Sequence, residues 1–238
     1  IFNMGKKQKT WIEFWNSESL VSSPRWEKNM RRFLQGVENF FTFSKDDIVL
    51  DIGCGPGYLE MFLKDRVKEI HCVDTSKRFI DQCKENFKED KNVFFYLLSA
   101  DYTDLSFLNS MKFSKIVCSN VVQYYNHAND LEKLILEVKD IAGCNAEFII
   151  TDLMGGNLFS DTWGNIKAGI NEDLLCDTLL FFLKAMLSEY RRVLLDNKLL
   201  LFSQEELHKL IEKLEISAEI LNYRLSINYN RRHLLIHF

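Results

Sequence analysis

The sequence predicts an α/β protein built on a doubly wound, mostly parallel seven-stranded sheet with helices on both faces. Three observations lead there. Short runs rich in Val, Ile, Leu and Phe alternate with helical periodicity along residues 45–153, the pattern of a parallel sheet crossed by helices. One such run, Val49-Leu50-Asp51-Ile52, opens into Gly53-Cys54-Gly55-Pro56-Gly57 and then a helical pattern, which makes a ligand crevice at the carboxyl edge of an open sheet. No repeat, low-complexity tract or linker interrupts residues 1–238, so they read as a single domain.

The elements follow in order. Trp11, Phe14 and Trp15 share a helical face, and Ser23-Pro24 is a helix start. From Trp26, apolar residues at Met30, Phe33, Leu34, Val37 and Phe41 hold the spacing of a long amphipathic helix. Val49, Leu50 and Ile52 suit a strand buried on both faces. Asp51 interrupts that run and is expected to bind a ligand or a backbone donor. The three glycines allow a sharp turn and a close ligand approach. A helix over 58–66 carries Leu59, Phe62 and Leu63 on one face. The second strand, 69–73, ends in Asp74. Ser76 then caps a helix whose Phe79, Ile80, Cys83 and Phe87 face one way. The third strand, 93–98, leads into Ser99-Ala100-Asp101-Tyr102. The fourth, 115–118, opens into Ser119-Asn120-Val121-Val122-Gln123-Tyr124-Tyr125. Leu131, Leu134, Ile135, Val138 and Ile141 mark a helix that Gly143 is expected to end, and 146–151 is the fifth strand.

The remainder departs from a minimal fold. Gly155-Gly156 opens a loop through Trp163, and 173–195 reads as one long helix, apolar on nearly all sides. Such a helix must be covered, either by a substrate-side cap or by another subunit. Ser203-x-x-Glu206 is a capping box, with Leu207, Leu210, Ile211 and Leu214 facing the sheet. Two last strands lie near 218–225 and 232–238. The chain divides into N-terminal helices (1–44), a ligand-binding core (45–153), an insertion (154–202), and a final helix with two strands (203–238).

The glycine spacing selects the cofactor. A dinucleotide fingerprint is G-x-G-x-x-G. Here the third glycine comes one position early, and an acid stands two residues before the first. Acid-x-G-x-G-x-G resembles motif I of the class I, Rossmann-like methyltransferases that use S-adenosylmethionine. The resemblance covers residues 45–153 well and the rest loosely. It implies a small-molecule methyltransferase whose product is S-adenosylhomocysteine, with the last two strands as an antiparallel hairpin. Asp51, Gly53, Cys54, Gly55 and Gly57 then form the cofactor turn, Cys54 as a small side chain rather than a nucleophile. Asp74 and Thr75 meet the ribose, Asp101 and Tyr102 the adenine, and Ser119 and Asn120 the methionine end. In related enzymes N-terminal helices fold over this site as a lid. Trp11 and Trp15 either close it, with Trp15 on the cofactor, or simply pack on the sheet.

The acceptor side is less determined. Candidate bases are His127, just past the fourth strand, and Asp152, at the end of the fifth. A solvated loop histidine and a hydrogen-bonded strand terminator are the plain alternatives. Tyr124 completes the catalytic candidates. Tyr125, Arg191 and Arg224 are candidate substrate contacts. The basic residues either clamp a phosphate or carboxylate or are solvated surface charges. The expected reaction is methyl transfer to oxygen or nitrogen of a small soluble metabolite, anionic in the form of a phosphorylated amine or a nucleotide sugar. The other readings are a methyltransferase acting on RNA or protein, and a non-catalytic cofactor-binding protein.

Composition narrows the partners. The net charge of −4 argues against a protein that coats nucleic acid. Six cysteines show neither a C-x-x-C pair nor zinc spacing, so no metal is expected and reduced thiols suit a cytoplasmic protein. No signal peptide or membrane span is visible, since the most apolar stretch, 178–187, is short and contains Lys184. The expectation is a monomer, or a homodimer through the apolar cap helix.

Overall fold

A computed structural model describes residues 9–17, 23–99, 102–155 and 158–238. Helices α1 (Trp11–Ser17) and α2 (Ser23–Val37) precede β1 (Ile48–Ile52), α3 (Tyr58–Leu63), β2 (Glu69–Asp74), α4 (Lys77–Asn86), β3 (Val93–Leu97) and β4 (Phe113–Ser119). Then come α5 (Asn129–Ile141), β5 (Ala142–Met154), α6 (Leu158–Asn171), α7 (Leu175–Leu187), α8 (Tyr190–Asn197), α9 (Gln204–Leu214), β6 (Ser217–Leu221) and β7 (Arg231–His237). The sheet has seven strands in the order β3-β2-β1-β4-β5-β7-β6. The first five are mutually parallel, and β7 runs antiparallel to both its neighbours.

The order reverses between β1 and β4, so the crevice outside their carboxyl ends is the ligand position of a doubly wound sheet. Two apolar layers flank the sheet. On one face Leu50, Ile116, Phe148 and Ile150 pack beneath α5 and α9. On the other, Val49, Ile70, Val117 and Ile149 pack beneath α2, α3 and α4. Side chains of successive strand residues therefore point to opposite layers, and both are apolar, as a central parallel strand requires.

Three local expectations need correction. The helix over 173–195 is two helices, α7 and α8, broken at Ser188–Glu189, and the segment through Trp163 is itself helical as α6. The break falls at polar Ser188-Glu189, where Ser188 Oγ accepts from the Tyr190 amide at 3.2 Å. Gly143 does not end α5, which stops at Ile141; it lies in β5, where a Cβ would stand 3.3 Å from the Phe113 carbonyl. The last strands are shorter or shifted by one residue, β6 ending at Leu221.

The segments outside the sheet pack on one another. Trp11 and Phe14 of α1 form a small cluster with Ala185 and Val193, flanked by Trp15, Tyr124 and Tyr190. The Trp11 indole donates to the Lys198 carbonyl at 3.2 Å, and Ser76 Oγ donates to the Trp15 carbonyl at 3.0 Å. Through these bonds α1 ties the loop after β2 to α8, above the carboxyl edge of the sheet.

Candidate functional site

Two cavities lie at that edge. The first, about 350 Å³, is bounded by the glycine turn, the ends of β2 and β4, and α1. Gly53 has φ +78 and Gly55 φ +53, both in the region that favours glycine. A Cβ on Gly53 would overlap Val121, so the turn and the post-β4 segment meet with no room for a side chain. Asp74 closes the other side. Its two oxygens accept from the Gly55 amide at 2.8 Å and the Ser76 amide at 2.7 Å. Burial raises the Asp74 carboxyl above its usual range, and these amides partly offset that shift. The result is an acid held rigidly at a cavity wall that is otherwise largely apolar: Ile52, Phe79, Leu98 and Trp15.

The expected cofactor residues Gly53, Gly55, Asp74, Thr75, Tyr102, Ser119, Asn120 and Trp15 all line this cavity. Three do not. Asp51 is 4% exposed and faces Glu60 instead. Burial, and then the neighbouring Glu60 carboxylate, raise Asp51 well above the ordinary carboxylate range; burial raises Glu60 as well. Cys72 Sγ donates to Glu60 Oε1 at 3.1 Å, while Glu60 Oε2 lacks a hydrogen-bond donor unless a neighbour holds a proton. A proton kept on Asp51 supplies it, so this is a shared-proton pair supporting the turn from below. Cys54 also turns inward, toward Cys83. Gly57 (φ +86) faces α4, where a Cβ would stand 2.8 Å from Phe87 Cε2. Asp101 lies outside the described residues.

The second cavity, about 430 Å³, shares Trp15, Trp26, Asn120 and Tyr124 with the first. Asp152 lines it, together with Arg25, Arg191 and Arg231, and α7 supplies Phe181, Phe182, Ala185 and Met186. Asp152 sits at a register shift between β5 and β7 with φ +63, a bulge that re-aims its side chain away from the ladder. Its amide meets His233 Nδ1 at 3.3 Å and its carbonyl accepts from Arg231 Nη1 at 2.7 Å. Arg231 also pairs with Asp161 at 2.7 Å. Arg25, by contrast, donates to neutral partners, Thr178 Oγ1 at 2.8 Å and Asn165 Oδ1 at 2.6 Å. Tyr124 rests 5.0 Å from Trp11 and 5.5 Å from Trp15, and burial raises its phenol above the usual value, so it stays neutral.

The second cavity is lined by Tyr124, Asp152 and Arg191, and three other acceptor-side candidates lie outside it. His127 is exposed and lines neither cavity, because it lies in the bend before α5, where its amide donates to Asp130. Tyr125 is buried against Tyr102, with ring centroids 4.7 Å apart, and borders the first cavity instead. Arg224 is held by Glu172 at 2.8 Å and lies 3.7 Å over the Tyr229 ring, away from both cavities. Arg25 was missed as a site residue, and Trp26, a weaker lid candidate than Trp11 and Trp15, borders both cavities. The signal for Arg25 was present, a polar residue beside the apolar stripe of α2, but nothing local aims it at a cavity.

A sequence family described as a methyltransferase domain matches residues 49–143, the span from the glycine turn to the start of β5. Over that span the chain is similar to methyltransferase domains. A malonyl-[acyl-carrier protein] O-methyltransferase of Acetivibrio thermocellus is 27% identical over 127 residues, 52% of this chain and 43% of that protein. The chain thus matches less than half the length of this curated relative. A SAM-dependent methyltransferase from Aquifex aeolicus superposes with a TM-score of 0.56 at 14% identity, over 92% of this chain and 94% of that one. Haemonchus contortus phosphoethanolamine N-methyltransferase 2, solved with phosphomonomethylethanolamine and S-adenosylhomocysteine, gives 0.56 at 13% identity, over 87% and 52%. At these identities the two structures show a shared methyltransferase fold.

The first cavity fits S-adenosylmethionine, the cofactor that the glycine spacing implies: a glycine cradle that a Cβ would fill, a rigid carboxylate at the end of β2, and aromatic walls. Among the described residues no group of His, Cys, Asp and Glu could hold a metal ion, and no helix is long and apolar enough to cross a membrane.

Proposed function

We propose that this protein transfers a methyl group from S-adenosylmethionine to a small anionic metabolite, at nitrogen rather than oxygen, in the cytoplasm. When bound, the cofactor supplies an electrophilic methyl group on a sulfonium. In this reading Asp74 takes the ribose hydroxyls, and Tyr102 and Leu98 border the base. Ser119 and Asn120 meet the methionine end. The observation that carries the proposal is the junction of the two cavities at Trp15, Trp26, Asn120 and Tyr124. An acceptor in the second cavity reaches the first only past those four side chains.

Their roles follow from their chemistry. Trp15 and Tyr124 present aromatic faces to a cation, each worth about 0.5–2 kcal/mol. Their bulk, with Trp11 behind them, excludes water from the junction. Holding a nucleophile in line there contributes about 7–11 kcal/mol without covalent help. With His127 in solvent no histidine base faces the junction, which favours an amine that attacks as the neutral base. Asp152 would accept from that amine and orient its lone pair. Arg25 and Arg191 would hold a phosphate or carboxylate at the other end. A phosphorylated amine carries both groups, and the neighbour from Haemonchus contortus was solved with one. The four segments read from the sequence act as one domain in this scheme, α1 and the α6–α8 insertion covering the core.

The test is transfer of a labelled methyl group to a panel of phosphorylated amines, nucleotide sugars, small phenols, RNA and protein. Labelling of a phosphorylated amine, reduced at least about tenfold in kcat/KM by Arg25→Ala, is the expected result. Labelling of RNA or protein alone, or S-adenosylhomocysteine binding with no transfer to any class, overturns the proposal.

A further inference from the structure

The outer face of α7 serves neither cavity. Leu175, Leu179, Leu180, Leu183 and Leu187 fall within one broad stripe of the helix at 100° per residue. All are exposed, Leu179 at 57% and Leu187 at 78%. The opposite face is engaged: Thr178 and Ala185 are buried, and Phe181, Phe182 and Ala185 line the second cavity. Phe159, Trp163 and Ile170 of α6 are exposed as well. The five leucines of α7 alone present several hundred Å² of apolar surface, on the order of the largest patch that a monomer ordinarily leaves open.

We propose that α7 packs antiparallel on α7 of a second copy of this chain about a two-fold axis. Charge decides the occupant and the direction. Asp177 and Lys184 are seven residues apart, so they flank the same edge of the leucine stripe, at nearly equal distances from the middle of the helix. In an antiparallel two-fold pair, residues on the same edge face each other. Each Asp177 then meets the partner's Lys184, giving two ion pairs around a leucine seam. A parallel pair would carry this edge to opposite sides of the seam and leave both charges without each other across it. A lipid surface or an acyl chain would use the leucines and leave this pairing without purpose. The pairing itself does not depend on the proposed reaction. Its consequence does: α7 is the outer wall of the acceptor cavity, so a second copy would back that wall and stiffen it.

Sedimentation velocity and light scattering on the full chain test the assignment. The wild type should be a dimer with a micromolar dissociation constant, and Leu183→Glu should be monomeric. Arg25 acts on Asp177 within each protomer, so the single charge change is placed at Lys184, which faces solvent. Lys184→Asp sets carboxylates opposite one another and should weaken the dimer at least about tenfold. The double variant Asp177→Lys/Lys184→Asp should restore it. Unchanged S-adenosylhomocysteine binding and circular dichroism keep folding out of the comparison. A monomeric wild type overturns the assignment, whether or not it binds phosphatidylcholine vesicles. So does a dimer indifferent to Leu183→Glu, or a double variant no tighter than Lys184→Asp.

Discussion

Replacing Gly53 with alanine separates two effects that coincide at the centre of the cofactor turn. The backbone there has φ +78, where an L-residue costs about 1–2 kcal/mol more than glycine. The new Cβ would also overlap Val121 Cγ2, with Val121 Cβ and Cγ1 each at 3.3 Å. Overpacking of that kind costs about 1–3 kcal/mol. The residue cannot escape by rotating its peptide, because the Gly53 amide donates to the Val73 carbonyl at 2.7 Å and anchors the turn to β2. Gly53→Ala should therefore destabilise the protein by about 2–5 kcal/mol. Val121→Ala removes both γ-carbons and leaves only the 3.3 Å contact with Cβ. In the double variant the steric part disappears and the conformational part stays, a coupling of about 1–3 kcal/mol. Urea unfolding of the four proteins measures it, with S-adenosylhomocysteine calorimetry as the functional readout. Strict additivity, or a Gly53→Ala variant within about 0.5 kcal/mol of wild type, would refute the steric account of the turn.

Three further outcomes follow from the same geometry. Asp74→Ala removes the acceptor of two amides and the proposed ribose contact, and calorimetry should show S-adenosylhomocysteine affinity falling by about 1.5–3 kcal/mol; unchanged affinity would dismiss the contact. Burial raises Asp51 and Glu60, so the folded pair keeps a proton that the unfolded chain releases, and stability falls as pH rises from the ordinary carboxylate range toward the raised values, by up to about 1.4 kcal/mol per pH unit per proton. Glu60→Gln should flatten that slope in urea unfolding, and an equal slope in both proteins would count against the shared proton. His233 acts with the opposite sign: burial pushes it down to about 4, so the stability it contributes above pH 6.5 is lost as pH falls toward that value. Its ring resonances should titrate near 4 by NMR, and a midpoint near 6.5 would contradict the buried placement.

The sheet was legible because each of its strands carries its own local signal. Val49 to Ile52 is apolar on both faces, and Gly53, Gly55 and Gly57 are required by positive φ angles that few other residues adopt. Asp74 was legible for a similar reason: a carboxylate at the end of a strand twenty residues after a glycine turn has few uses except to face it. Asp51 obeyed a different rule. Its strand position turns the side chain into the layer beneath the crevice, where Glu60 had already placed a carboxylate. The alternation of a strand determines a face, and the motif alone does not say which face the ligand is on. The break between α7 and α8 had a local signal, Ser188 before Tyr190, but one polar pair inside a helical run is equally compatible with an uninterrupted helix.

The acceptor cavity illustrates a more general limit. Its walls come from α2, the post-β4 segment, the bulged end of β5, α6, α7, α8 and the β6–β7 connection, so no two neighbours in sequence reveal that they share it. Charge counting along the chain selected arginines that lie near one another, and one of them, Arg224, is held away from the cavities by a glutamate fifty-two residues away that Arg32 and Lys28 share. Arg25 donates its hydrogen bonds to Thr178 and Asn165, neither of which carries charge, while Asp161, Asp177 and Asp152 act on it from farther away. A guanidinium with neutral partners keeps most of its attraction for an anion, whereas one bound to a carboxylate has largely spent it. Arg25 is thus a basic cavity residue whose hydrogen-bond partners are neutral, and that property belongs to the tertiary packing of α2 against α6 and α7 rather than to any local pattern.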